Sequence, residues 1–287
     1  MKIPKRIEPL VQDGLVDEVI RQLMSGKEAT VYVVRCGEDI RCAKVYKEAD
    51  KRSFHQSVDY TEGRKVKNSR RARAMEKGSR YGRKAQEEAW QNAEVDALYR
   101  LAAAGVRVPQ PFNFHEGVLL MELVADSDGN AAPRLNDLVL TAELAREYHH
   151  MLIRQVVRML CAGIVHGDLS EYNVLVDAAG PVVIDLPQAI NAAANNQARQ
   201  MLLRDVDNLA TYFGQFAPEL LTKSYGMEIW SLYQSSKLHS ESVLTGGLEH
   251  NENLENPVDV KSVMREINDT LKEEEARRLY RALRSRQ

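Results

Sequence analysis

Three side chains that carry oxygen atoms surround a short, strand-like hairpin in the second half of the chain. Asp168 is followed five residues later by Asn173 and twelve residues after that by Asp185. A loop before the hairpin could hold Asp168 as a base towards a hydroxyl group, while Asn173 and Asp185 offer the hard oxygen ligands that Mg²⁺ prefers. Either aspartate alone is more often an ordinary turn residue. The joint spacing indicates transfer of a phosphoryl group to a hydroxyl.

Phosphoryl transfer also needs positive charge on the phosphates, and Lys44 is the candidate for supplying it. It lies in an alternating, strand-like run, Cys42-Ala43-Lys44-Val45-Tyr46, and is flanked there by apolar residues. A glutamate on the following helix could pair with the ammonium group and hold it in place. Glu87, Glu88 and Glu94 all fall on that helix, and their spacing alone does not choose among them.

The turn from Met24 to Tyr32 precedes the lysine strand and could lay backbone N–H groups over phosphates. It has a single glycine, not the three of a Gly-x-Gly-x-x-Gly loop, and it is not a Walker A motif. A generic hairpin turn would look the same, so the signal is weak by itself. The residues assigned to ATP binding here are Ser25, Gly26, Lys27, Glu28, Ala29 and Val31.

Strand patterns dominate the first part of the chain and helix patterns the second. Strands are predicted at 28–46, 118–124, 173–177 and 181–186, and helices at 85–104, 141–162, 197–213, 218–237 and 258–285. Gly105 and Gly163 follow two of the helices and are expected to end them. The order predicts a small β-rich lobe joined to a mainly helical lobe, with a ligand cleft at the junction.

This order also suggests domain limits. We expect a nucleotide-binding lobe over 1–124 that includes a basic insertion at 47–84, a helical catalytic lobe over 125–245, and a linker with a C-terminal helix over 246–287. The polar, turn-rich run 125–134 is the expected boundary between the lobes.

Together these motifs resemble the RIO family of atypical protein kinases. Ser-Gly-Lys-Glu-Ala-Thr-Val-Tyr resembles its phosphate-binding loop, His-Gly-Asp-Leu-Ser-Glu-Tyr-Asn its catalytic loop, and Ile184-Asp185-Leu186-Pro187-Gln188 its metal loop. The segment Trp90-Gln91-Asn92-Ala93-Glu94 of the predicted helix resembles the family helix whose glutamate pairs with the lysine, which favours Glu94. The four motifs occur in the family order over about residues 10–215. The short stretch before residue 24 favours the subgroup without a winged helix.

The resemblance implies an α+β, bilobal protein-kinase-like fold with a reduced activation segment. It also implies the use of ATP with Mg²⁺ or Mn²⁺, and serine autophosphorylation by a serine/threonine protein kinase. Met121-Glu122-Leu123-Val124 would form the hinge, with backbone groups near Glu122 and Val124 holding adenine. Ser170, also assigned to ATP binding, replaces the lysine that ordinary protein kinases carry two residues after the catalytic aspartate. In some members the residue matching Asp185 is thought to accept phosphate itself.

The segment Arg64–Lys84 is strongly basic, with ten Lys or Arg residues and a single acidic residue, Glu76. It could be an ordinary solvated surface segment, or a footprint for RNA or a ribosomal particle. Ser53, Ser57, Ser69 and Ser79 lie in or beside it and are candidate autophosphorylation sites. The sequence does not rank them.

The overall composition is that of an ordinary soluble protein. The net charge is −2 over 287 residues, and neither a secretory signal nor a run of 18 apolar residues is present. We therefore expect a cytoplasmic enzyme that is not bound to a membrane. Two alternatives to a serine protein kinase stay open: an ATPase switch factor on ribosomal particles, and a small-molecule kinase of the aminoglycoside or choline type.

Overall fold

The computed structural model describes residues 3–47 and 80–247, with side chains described for 3–47 and 91–247. Most of the basic insertion, the serines Ser53, Ser57, Ser69 and Ser79, and the predicted helix 258–285 lie outside the described residues. In the described part, no helix is long and apolar enough to span a membrane.

A five-stranded antiparallel sheet forms the first lobe. Its strands are β1 (Glu18–Ser25), β2 (Ala29–Cys36), β3 (Asp39–Tyr46), β4 (Pro111–His115) and β5 (Val118–Glu122), in the spatial order β1-β2-β3-β5-β4. Val31 faces Lys44 and Val33 faces Cys42 across the β2–β3 pair, so the predicted hairpin is confirmed.

Successive side chains of a strand point to opposite faces of the sheet, and each face of this sheet is covered by a helix. Helix α1 (Glu8–Gln12) packs Leu10 against one face, where Ala43 is buried. Helix α2 (Arg80–Ala103) packs against the other face, where Leu98 and Tyr46 join the main core. Lys44 therefore points towards α2.

The second lobe is mainly helical. It contains α3 (Ala142–Cys161), α4 (Ala198–Gly214) and α5 (Tyr225–Gln234), the short strand pairs β6 (Ile164–Val165) with β9 (Ile190–Asn191) and β7 (Val174–Asp177) with β8 (Gly180–Val183), and 3₁₀ turns at Leu135–Asp137, Glu171–Asn173 and Pro218–Thr222. Thr141 caps α3 by accepting a hydrogen bond from the Leu144 N–H at 3.2 Å. A β-rich first part and a mainly helical second part make the fold bilobal, as expected. Only residues 186–197 separate Asp185 from α4, so the segment that corresponds to an activation segment is short.

The single helix predicted over 218–237 is wrong. The chain instead forms the 3₁₀ turn Pro218–Thr222, becomes extended at Lys223, and starts α5 at Tyr225. Leu220 and Ile229 are both buried and are nine residues apart, which would place them on opposite faces of one straight helix. The break allows both side chains to reach the core. The strand predicted over 181–186 also ends earlier, at Val183, and Asp185 beyond it has a positive φ that lies outside the extended conformation of a regular strand.

Candidate active site

A cleft of about 540 Å³ lies between the β-sheet and the β7–β8 hairpin. Twelve of the predicted site residues line it: Gly26, Lys27, Glu28, Ala29, Val31, Lys44, Glu94, Met121, Glu122, Val124, Asn173 and Asp185. Ser25, Asp168 and Ser170 are not among the lining residues. The fold thus gathers, in one cavity, groups from both lobes that are far apart in the sequence.

Lys44 occupies the centre of an ion-pair network inside this cleft. Its Nζ atom lies 2.5 Å from Glu94 Oε1 and 3.5 Å from Asp185 Oδ1. Burial disfavours the charge on Lys44, but Glu94, Tyr46 and Asp185 outweigh this effect and raise its pKa above the ordinary value. Among the three candidate glutamates, Glu94 is thus in contact with the lysine, and the side chains of Glu87 and Glu88 lie outside the described part of the chain.

Asp185 has a backbone conformation that few residues other than glycine adopt, with φ at 66°. The preceding residue is fixed from two sides. The Ile184 N–H donates to the Asn173 carbonyl at 2.9 Å, and the Ile184 carbonyl lies 3.1 Å from His166 Nε2. These contacts aim the Asp185 carboxylate into the cleft, towards Lys44.

Asp168 and Asn173 are joined within the same short loop. Asn173 Nδ2 donates to the Asp168 carbonyl at 2.8 Å, which leaves the amide oxygen of Asn173 as its acceptor group. The Asp168 N–H donates to His166 Nδ1 at 3.3 Å. The pKa of Asp168 is raised above its ordinary value, mainly by burial. The charges of His166 and Arg204 oppose this shift, and the charge of Asp185 adds to it. A carboxyl group with a raised pKa is better suited to accept a proton from a hydroxyl.

Side chains of helix α4 hold the backbone of the Asp168 loop by hydrogen bonds, and the sequence reading missed these residues. Asp205 accepts the Gly167 N–H at 2.8 Å and the Leu169 N–H at 2.9 Å. Asn208 donates to the Leu169 carbonyl at 3.0 Å, and Arg204 donates to the Gly167 carbonyl. A signal did exist, because Asp205 lies on the apolar, buried face of its helix, where an acidic residue is rarely found without a specific partner.

The turn between β1 and β2 is closed by local hydrogen bonds. The Gly26 N–H donates to the Ala29 carbonyl at 2.9 Å. Lys47 Nζ donates to Ser25 Oγ at 3.1 Å and to the Gly26 carbonyl at 2.5 Å. Ser25 therefore holds the base of the turn, together with Lys47, which sequence reasoning did not identify.

The end of β5 and the segment that follows it are held by backbone hydrogen bonds. The Glu122 N–H donates to the Gln110 carbonyl at 2.8 Å, and the Val124 carbonyl accepts from the Ala132 N–H at 2.9 Å. The Glu122 side chain forms a 3.3 Å ion pair with Arg107. Arg107 also binds Asp177 of the other lobe, so it connects the two lobes behind the cleft.

The sequence reading also missed much of the apolar wall of the cleft. The missed lining residues are Leu23, Met24, Cys42, Leu98, Pro109, Leu119, Ala131, Ala132, Pro133, Leu175, Ile184 and Leu186, with the charged Arg134 and Asp137. Part of the expected boundary 125–134 thus belongs to the site. Alternation offered a signal for one of them, since Leu175 lies two residues beyond Asn173 in the predicted strand and so shares its face.

Comparison with known proteins agrees with this geometry. Residues 30–225 match the model of the RIO domain family. The chain is similar to the RIO-type serine/threonine-protein kinase Rio1 of Haloferax volcanii, with 37% identity over 72% of this chain and 67% of that protein. It is also similar to Rio1 of Methanocaldococcus jannaschii, with 32% identity over 68% of this chain and 63% of that protein.

A eukaryotic relative shows the same likeness over a smaller share of its length. The serine/threonine-protein kinase rio1 of Schizosaccharomyces pombe is 30% identical over 71% of this chain, and the match covers 40% of that protein. The matches thus span about two thirds of the two archaeal relatives and less than half of the yeast protein. The family model covers well over half of this chain. The cleft of the protein brings together residues of all four motifs. The chain therefore belongs to the RIO family, the family of the RIO-type serine/threonine-protein kinases.

Proposed function

We propose that this chain transfers the γ-phosphoryl group of ATP to serine hydroxyls, its own among them, with Mg²⁺ or Mn²⁺ as the metal. One observation carries the proposal: Lys44, Glu94 and Asp185 form a single ion-pair network in a cleft that Asn173 also lines. A lysine that is held by a glutamate and faces an aspartate is the arrangement that protein kinases use on nucleotide phosphates.

The adenine of ATP would lie against the end of β5 and the segment that follows it. We assign it to the Glu122 carbonyl and the Val124 N–H, because the Glu122 N–H and the Val124 carbonyl have partners within the chain. Residues 25–31 would cover the phosphates, Lys44 would bind them, and Ser170 would lie beside the transferred group. Cytoplasmic location and binding to RNA or a ribosomal particle through Arg64–Lys84 stay proposals.

Asn173 and Asp185 fit the proposed metal. Among the described residues, no three His, Cys, Asp or Glu side chains converge as a metal cage. Mg²⁺ does not need such a cage in kinases, where one or two protein oxygen ligands are completed by phosphate and water. When bound there, the metal would neutralise charge that develops on the phosphates.

Asp168 acts as the base in this proposal. The serine hydroxyl gives its proton to the Asp168 carboxylate, its oxygen bonds to the γ-phosphorus, and the bond from that phosphorus to the ADP oxygen breaks. His166, Asn173 and α4 hold the loop so that the carboxylate meets the hydroxyl. Orientation of the acceptor supplies much of the rate in such reactions.

Mass spectrometry after incubation with ATP and Mg²⁺ tests the proposal. The wild-type protein should gain phosphate on serine, and Asp168→Ala should lose transfer by about 10²-fold or more while it still binds ATP. Asp185→Ala should also lose metal-dependent ATP binding. Transfer by Asp168→Ala at the wild-type rate would refute the role of Asp168, and phosphate found only on Asp185 would favour the ATPase switch. Label found only on an added aminoglycoside or choline would favour a small-molecule kinase.

A further inference from the structure

Two arginines connect the C-terminal ends of α2 and α3, which belong to different lobes. Arg100 Nη2, in the last turn of α2, donates to the Ala162 carbonyl just beyond α3 at 2.7 Å. Arg158 Nη1, in the last turn of α3, donates to the Gly105 carbonyl just beyond α2 at 3.3 Å. Carbonyls at the end of a helix lack partners within it, and a cation there is also favoured by the helix dipole. Each helix therefore supplies the cap of the other.

The position of α2 matters for the cleft because this helix carries Glu94. Glu94 lies six residues before Arg100, which is about 9 Å along the helix axis. Lys44 Nζ lies between Glu94 Oε1 of the first lobe, at 2.5 Å, and Asp185 Oδ1 of the second lobe, at 3.5 Å. Carboxylates of two lobes can meet at one ammonium group only while α2 keeps its place against the helical lobe.

The chain that follows α2 stays on the helical lobe. Two residues after Gly105, the Arg107 N–H donates to Gln155 Oε1 of α3 at 2.9 Å, and the Arg107 carbonyl accepts from the Val183 N–H at 2.9 Å. Val183 lies two residues before Asp185. The end of α2 is thus held beside the strand that leads to Asp185, and the two arginine caps lie at this same junction.

We propose that Arg100 and Arg158 are positioning residues that keep Glu94 on Lys44 by fixing α2 to the helical lobe. The proposal rests on the kinase activity proposed above. Neither arginine is among the described residues that line the cleft, so their effect on ATP passes through the helix. In many protein kinases the activation segment controls the place of this helix. Here only residues 186–197 precede α4, and the two caps hold α2 without such control.

Calorimetric titration of the full chain with ATP and Mg²⁺ tests the proposal. Arg100→Met and Arg158→Met remove the donor and keep an apolar stem, and each should weaken ATP binding about three- to tenfold, the effect of one lost hydrogen bond to a charged group. Arg100→Lys keeps a charged donor and should restore most of the affinity. In a Glu94→Gln background, Arg100→Met should add less than about twofold, because the contact that the cap maintains is already lost.

Arg154 of α3 provides the matched control. Arg154 and Arg158 both bind Glu241, at 2.7 Å and 3.1 Å, and Arg158 also reaches the end of α2. Arg154→Met should therefore stay within about twofold of the wild-type affinity. Equal losses in Arg154→Met and Arg158→Met, or the same loss from Arg100→Met with and without Glu94, would overturn the role of the caps and leave the kinase proposal standing. Wild type that binds ATP but transfers phosphate to no acceptor would sink the kinase proposal alone, since the affinities are measured without transfer.

Discussion

At the scale of single residues, Asp205 ties the protonation state of a buried carboxyl to the shape of the catalytic loop. Burial raises its pKa to about 6, even though His166, the two loop N–H groups and Arg204 all favour the charged form. The ionised carboxylate accepts charge-assisted hydrogen bonds from Gly167 and Leu169. Such bonds are about twice as strong as neutral ones, so protonation should loosen the loop that presents Asp168.

We expect the rate of phosphoryl transfer to fall as the pH drops through about 6, because protonated Asp205 holds the loop less firmly. Protonation of Asp168, whose pKa is also raised, acts in the same direction. Asp205→Asn should be about tenfold slower at pH 7.5, the effect of roughly one lost charge-assisted hydrogen bond. The decrease in rate that protonation of Asp205 causes near pH 6 should be absent from the pH–rate profile of this variant. Superimposable profiles for the two proteins would contradict this role.

The stability difference between wild type and Asp205→Asn should change with pH in the direction opposite to the rate of transfer. A raised pKa in the folded state means that folding favours protonated Asp205, so this contribution to stability is lost as the pH rises through about 6. The free energy of unfolding of wild type, relative to Asp205→Asn, should thus increase as the pH falls from 6 towards 4. The expected slope is about 1.4 kcal/mol per pH unit, measured by urea unfolding. A constant difference would show that Asp205 does not titrate in this range.

At the scale of elements, α2 must bring one carboxylate to the lysine of β3. Glu87 and Glu94 are seven residues apart and so lie on nearly the same face of the helix, about 10 Å apart along its axis. Periodicity cannot choose between them, because the choice depends on how far the helix reaches along the sheet. The pairing of Lys44 with Glu94 at 2.5 Å fixes that position.

Glu94→Gln should raise KM for ATP and lower kcat, together by about tenfold to a hundredfold in kcat/KM. The buried ammonium of Lys44 then loses the nearer of its two charged partners and keeps only Asp185, so its pKa should fall. Glu87→Gln and Glu88→Gln are matched changes on the same helix and should stay within about twofold of wild type. Steady-state kinetics of the three variants decides the matter, and a larger loss in Glu87→Gln than in Glu94→Gln would reverse our assignment.

The sequence predicted those elements whose pattern and end signals agree. The β2–β3 hairpin follows from alternation around Gly37, and α3 follows from an apolar face that ends before Gly163. The sequence could not predict the break at Lys223 or the inward position of residues 131–134, because both depend on where the rest of the core lies. In the site, motif residues could be found by spacing, while Asp205 and Lys47 act through the backbone of distant segments.

At the scale of the whole molecule, Arg107 connects the lobes behind the cleft. Its guanidinium binds Glu122 at the end of β5 and Asp177 at the end of β7. Its backbone is anchored to the helical lobe, since its N–H donates to Gln155 Oε1 at 2.9 Å and its carbonyl accepts from Val183 at 2.9 Å. The end of β5, next to the backbone groups proposed to bind adenine, is thus tied to the lobe that carries Asp168 and Asn173.

Arg107→Met should weaken ATP binding several-fold and lower stability by about 1–3 kcal/mol, since Asp177, only 10% exposed, would lose its charged partner. Arg35→Met is the matched control, because Arg35 pairs with Glu18 within the sheet and both side chains are about half exposed. That change should cost less than about 1 kcal/mol and leave ATP affinity unaltered. Calorimetric titration with ATP and urea unfolding measure the two effects. If Arg107→Met bound ATP like wild type, the lobes would be held in register by the backbone contacts of this segment alone, and the ion pairs would have no part in shaping the cleft.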